Sequence, residues 1–234
     1  MLWLLTVVTT GVLVVIALFI RDISRLPTAG RPTALALHRG TTPAHRASPH
    51  AHPSVITYPQ VTDVTSGLSY RLLAPPWQSG CPSDLITPMF NWSAGENTVA
   101  GQVSIGGSLV DWHGLACSGR LQQQFTYAGP ADLEPTATSL VGALDPAYYA
   151  GVPHSRTIKD STAMQVSGHQ AWMVEFGMNY PDGASQGLTW SSELGAVVVV
   201  DRGVLQAPAV FYVSVPANLG TQNVTMLVSS LRMS

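Results

Sequence analysis

The chain has 234 residues, of which only 10% are charged, against roughly 25% in ordinary soluble proteins. Its net charge of −2 hides an asymmetry: residues 21–60 hold five arginines against Asp22, whereas residues 61–234 hold six basic and twelve acidic side chains. That acidic body argues against nucleic acid as a partner, and two cysteines without a C-x-x-C exclude zinc-ribbon and thioredoxin-type sites.

Residues 1–20, MLWLLTVVTTGVLVVIALFI, contain no charged side chain. At about 1.5 Å per residue such a helix spans the roughly 30 Å apolar core of a bilayer. The run is long for a cleaved secretory signal, no basic residue precedes it, and the nearest Ala-x-Ala, Ala34-Leu35-Ala36, lies well past its end. No cysteine follows it closely, which excludes a lipoprotein anchor. The expectation is an uncleaved single-span anchor in the lipid bilayer. Arg21, Arg25 and Arg31 on its flank favour a cytoplasmic side by the positive-inside rule, which long domains escape.

Residues 21–60 form the next unit, with Pro27, Pro32, Pro43, Pro49, Pro53 and Pro59 interrupting any helical or alternating pattern. They read as an extended tether. Its basic charge suits anionic lipid or wall polymer. His38, His45, His50 and His52 fall here, but their spacing fixes no coordination geometry, and a solvated spacer is the expectation.

The remaining residues, 61–234, are the size of one domain with one core. Gly67–Leu73 alternates and reads as its first strand, stopped by Pro75-Pro76-Trp77. From Asp84 to Gly119 the composition is rich in Gly, Ser and Trp, and reads as loops and irregular hairpins. Trp77, Trp92 and Trp112 are expected to plug a core edge rather than line a groove. Cys81 and Cys117, 36 positions apart behind a membrane-targeting start, are expected to form a structural disulfide. With that bond goes an extracytoplasmic location, on a single-pass anchor in the cell membrane.

Asp132 after Gly129-Pro130 is a candidate helix cap, and Leu133, Ala137, Leu140, Val141 and Leu144 follow at helical spacing. Thr162–Val166, a Ser167-Gly168 turn and Gln170–Tyr180 read as a hairpin. A strand near Glu193–Asp201 follows, its Val197–Val200 run suited to burial on both faces. Ala209–Val215 is another strand, ended by Pro216, and Val224, Leu227, Val228 and Leu231 mark a closing helix. Helices segregated on an antiparallel sheet make an α+β sandwich.

That order of elements resembles the PsbP-like fold, an α/β/α sandwich that recurs in exported or membrane-anchored actinobacterial proteins. The resembling stretches are Gly67–Trp77, the Val166–Trp172 hairpin, Val210–Pro216 and Ser229–Arg232. The resemblance implies an accessory, binding or assembly role and brings no catalytic residues. The single lysine among eleven basic residues, with abundant Ala, Gly, Val and Pro, also suits a GC-rich actinobacterial source.

Motifs for hydrolysis, zinc or nucleotides (G-x-S-x-G, H-E-x-x-H, Walker A, G-x-G-x-x-G) are absent. Ser104–Ser108 is glycine-rich but lacks the lysine and helix start that phosphate binding needs. Asp111 and His113 fall on one side of a strand and, with Ser108, imitate a hydrolase triad, though no motif supplies an oxyanion hole. His154 and His169 read as surface histidines and Glu175 as the solvent-facing member of its strand. The expectation is a non-enzymatic, membrane-tethered domain that binds a protein, wall or lipid partner and needs no cofactor or metal. A hydrolase using Asp111 and His113 is the alternative, and a purely structural component of a membrane complex is the third.

Overall fold

The structure, a computed structural model, describes residues 58–234. The expected anchor at 1–20, nearly all of the 21–60 tether and its four histidines lie outside the described residues. Among the described residues no helix is long and apolar enough to cross a membrane.

A short hairpin, β1 (Gln60–Asp63) and β2 (Leu68–Arg71), opens the domain. The strand expected at Gly67–Leu73 is therefore β2, and a strand precedes it. The connecting turn is held by Asp63, whose Oδ1 accepts the Thr65 and Ser66 N–H groups while Oδ2 accepts the Ser66 and Ser93 hydroxyls at 2.6 and 2.7 Å. This is an Asx-type turn, and the Ser93 bond ties it to the next sheet.

After β3 (Gln78–Ser79) come β4 (Trp92–Ile105) and β5 (Ser108–Arg120), the longest hairpin of the domain. Most of residues 84–119 is thus one long hairpin, not the loops and irregular hairpins expected there. Register shifts at Trp92/Ala94 and Val99/Gly101 interrupt the pairing, so the period-2 pattern breaks twice. Glu96, Thr98 and Ser118 are buried as well, which removes the apolar signal. Ser104–Ser108 supplies its tight turn, with Gly106 and Gly107 at φ +59° and +84°.

A 3-10 turn, Pro130–Asp132, leads into α1 (Leu133–Leu144). Asp132 does not cap the helix, because its carboxylate instead accepts the Ala128 N–H at 2.6 Å. All five apolar residues expected on its inner stripe are buried. The meander follows as β6 (Ser155–Val166), β7 (His169–Asn179), β8 (Ser192–Val200) and β9 (Ala209–Pro216). β6 starts seven residues earlier than Thr162, since an edge strand exposed on most of its length shows little alternation. Ser167 and Gly168 form its two-residue turn at φ +51° and +85°, and His169 is paired opposite Val166 at the start of β7. The chain closes with α2 (Gln222–Ser230) and β10 (Arg232–Met233).

Seven antiparallel strands form one sheet in the order β3-β4-β5-β9-β8-β7-β6, and β1-β2-β10 form a small second sheet. Alternation in the central strands divides the core. Val197, Val199, Val210 and Tyr212 pack with α1, whereas Val198, Val200, Phe211 and Val213 pack with α2 and β2. The two helices thus cover opposite faces of the sheet, as the α+β sandwich reading required. Fully burying each such aliphatic or aromatic side chain contributes roughly 1.5–3 kcal/mol. Trp92 and Trp112 are buried in the first face, and Trp77 packs, partly buried, against the second.

Candidate functional site

Cys81 and Cys117 are bonded, with Cα atoms 6.1 Å apart. The bond fastens the segment before β4 to β5, an interior strand of the sheet. Further along that segment, the Tyr148 hydroxyl donates to the Leu85 carbonyl at 2.7 Å and accepts from the Trp92 indole N–H at 2.9 Å. Gly95 lies directly beneath the bond. A Cβ there would stand 2.6 Å from the Ala116 carbonyl oxygen, so the strap and strand meet only because this position lacks a side chain.

Under the strap is a cavity of about 100 Å³ walled by Leu85, Trp112, His113, Tyr148, Tyr149 and Glu193, room for roughly three waters. Its most unusual member is Glu193, a carboxyl group 3% exposed on β8. Oε2 accepts the Tyr180 hydroxyl at 2.8 Å and the Trp112 indole N–H at 3.1 Å. Oε1 accepts the Ser214 hydroxyl, with the Tyr149 hydroxyl at 3.4 Å. The Tyr149 oxygen is also 2.8 Å from both the Tyr212 hydroxyl and Ser214 Oγ. One relay therefore runs from Tyr212 through Tyr149 and Ser214 to Glu193.

Burial drives the Glu193 carboxyl above its ordinary range, while donors from Ser214, Tyr180, Trp112 and Tyr149 pull it back. Tyr149, Tyr180 and Tyr212 are raised well above ordinary phenols, first by burial and then by the charge of Glu193, so each keeps its proton. With every donor engaged, the cluster fixes the shape of the core around a buried carboxyl group. Sequence reading missed it. Counting back by twos from Val199 through Val197 and Gly195 does place Glu193 in the same inward row.

The candidates singled out in the sequence lie around this cluster without forming a triad. Asp111 is exposed and takes the Gln102 amide at 3.0 Å. His113 is half-buried, and its Nδ1 has no hydrogen-bond partner among the described residues. Ser108 sits at the exposed hairpin turn opposite Ile105, five positions and roughly 16 Å along the strand from His113. His154 is partly buried and stands 2.7 Å from the Val152 carbonyl oxygen, with its ring beside Tyr149. His169 lies 3.0 Å from the Asp201 carbonyl oxygen. Glu175 is half-buried between the buried Val174 and Phe176. Among the described residues, no group of three or more His, Cys, Asp or Glu side chains is placed to hold a metal ion.

No protein-family model matches the chain, and no curated protein matches it in sequence. A similar solved structure is the solution structure of cyanobacterial PsbP (CyanoP) from Synechocystis sp. PCC 6803. It is 10% identical, the match covers 80% of this chain and 100% of that one, and the TM-score is 0.47. No site residue is carried across from it.

A second buried carboxyl, Glu96, is fully covered on β4. Its Oε2 accepts the Leu73 N–H at 2.9 Å, and Oε1 has no partner among the described residues. Burial pushes this group up to about 7 from 4.5, against a smaller lowering by the Leu73 bond. The folded state therefore binds the proton more tightly than the unfolded chain. Stability is unaffected below about pH 4.5 and falls as pH rises from there through 7, by at most about 3 kcal/mol. Asp63 acts in the opposite sense. Burial raises its carboxyl, but hydrogen bonds led by Ser66 and Ser93 outweigh burial and hold it below 3.8. Its contribution is present above that value and is lost as pH falls through the lower, folded one. Thermal melts from pH 3 to 8 are expected to peak in the mildly acidic range, and Glu96→Gln should flatten the alkaline limb. An alkaline limb identical in the variant would contradict the assignment.

Proposed function

We propose that this protein is a membrane-tethered, extracytoplasmic domain of PsbP-like type that binds a protein, wall or lipid partner without transforming it. Residues 1–20 are the anchor and residues 21–60 the tether in this reading. One observation carries its binding part. The deepest polar cluster, Glu193 with Tyr149, Tyr180, Trp112 and Ser214, spends all its hydrogen bonds internally and offers no free nucleophile to a substrate. The Cys81–Cys117 bond supports the placement outside the cytoplasm, where disulfides persist. Affinity capture of the tagged full-length protein from intact membranes, with mass spectrometry, tests the reading. A reproducible partner protein, lipid or wall fragment is expected, and nothing above background would count against it.

A hydrolytic reading draws on one feature, the unpartnered His113 Nδ1 beside the cavity. It requires turnover of model esters that His113→Ala abolishes. Absence of such turnover in the wild-type protein removes it.

A further inference from the structure

The end of the sheet at which β5 stops and β9 starts carries a different set of residues. Val204 and Leu205, in the loop between β8 and β9, are 90% and 102% exposed, and Val64 in the β1–β2 turn is 88% exposed. These are the three most exposed large apolar side chains among the described residues. Leu205 also holds φ at +67°, a conformation that costs a branched residue energy and that persists where a role maintains it.

The same end is drawn together by specific bonds. Arg120 Nε donates to the Thr65 carbonyl at 2.6 Å, beside Val64. Leu121 N–H donates to Pro208 O, which closes the base of the Val204–Leu205 loop. A groove of about 740 Å³ lies behind that loop, lined by Leu121, Phe125, Tyr127, Pro130, Leu205 and Pro208 among others. Neither Arg120 nor Arg202 has a carboxylate within ion-pair distance among the described residues. Arg120 and Val200 both pair with Ala209 of β9, from either side, so Arg202 follows β8 at the same end of the sheet as Arg120. Burial and then the charge of Arg120 lower its guanidinium from the usual value, against a smaller opposing effect of the Asp63 carboxylate. The nearby carboxylates are already engaged, Asp63 by the Ser66 and Ser93 hydroxyls. Asp201 accepts the Tyr127 hydroxyl at 2.8 Å and the Gly203 N–H, and Asp132 accepts the Ala128 N–H.

Apolar tips flanked by unpaired guanidiniums match the interface of an anionic bilayer, in which side chains enter the acyl boundary and cations meet phosphates. We propose that Val64, Val204 and Leu205 insert into an anionic lipid surface, with Arg120 and Arg202 on the headgroup phosphates. The domain would then rest on the membrane through a face of its own. This goes beyond the tethering reading, because the loop can be followed whether or not residues 1–20 span a bilayer.

The test uses the full-length protein carrying Gln206→Cys, an exposed loop position, labelled with an environment-sensitive nitrobenzoxadiazole group. Vesicles contain phosphatidylcholine alone or with a minority of phosphatidylglycerol, plus lipids brominated in the acyl chain. A blue-shifted emission, quenched by bromine only where phosphatidylglycerol is present, is expected. Replacing Arg120 or Arg202 by Gln should each weaken that engagement about fivefold. Val204→Ser with Leu205→Ser should weaken it more than about tenfold. Arg120, Val204, Leu205 and Gln206 are exposed and Arg202 is half-exposed, and an unchanged circular dichroism spectrum confirms the fold of each variant. A label that stays solvated on both vesicle types, or is quenched equally in all variants, overturns the proposal. A shift produced by soluble glycerol phosphate alone overturns it in favour of a free-anion site.

Discussion

Replacing Glu193 by Ala is expected to destabilise the domain by about 3–5 kcal/mol, seen as a lower urea midpoint for tryptophan fluorescence. The substitution strands the Trp112 indole N–H and the Tyr180 hydroxyl in the buried core, whereas Ser214 and Tyr149 keep each other and Tyr212 as partners. Each stranded donor costs about 1–3 kcal/mol before any relaxation. Water entering the adjoining cavity would recover part of that loss, so the sum of the individual costs is an upper bound. Glu193→Gln keeps the shape and one acceptor oxygen, but its amide N–H groups confront two donors. It should cost less, about 1–3 kcal/mol. A Glu193→Ala midpoint within about 1 kcal/mol of wild type would mean that the cluster does not organise the core.

The second large effect belongs to the disulfide. Removing it through Cys81→Ser with Cys117→Ser should cost about 3–4 kcal/mol, the chain-entropy value for a loop of this length. Reduction of the native protein by a dithiol should reproduce that loss. The strap should also loosen locally, because only the Tyr148–Leu85 hydrogen bond and the packing of Leu85 and Phe90 on the core then hold the segment before β4. Hydrogen exchange is expected to rise at Ile86 and Phe90, which donate to Ser83 and Thr87 within the strap. An unfolding midpoint unchanged on reduction would contradict this account.

The parts of the fold that the sequence revealed are those where burial is one-sided or complete. The Val197–Val200 run, the inner stripe of α1 and the Ser167-Gly168 turn each follow a simple period or turn chemistry, and the structure has them. The β4–β5 hairpin was illegible because two register shifts interrupt its alternation and because Glu96, Thr98 and Ser118 occupy buried positions. β1 was hidden in a short stretch next to the proline-rich segment. The Glu193 cluster draws Trp112, Tyr149, Tyr180 and Ser214 from four separate elements, so only the inward parity of Glu193 itself was available in one dimension. Ser108 shows the opposite error. It stands near Asp111 and His113 in sequence, yet the extended strand carries it away from both.

Whether the domain is held outside a membrane is checked by adding protease to intact cells that express the protein with a C-terminal tag. The tag is expected to be lost from the membrane fraction while a cytoplasmic marker survives. A tag that stays protected until the cells are lysed would contradict it.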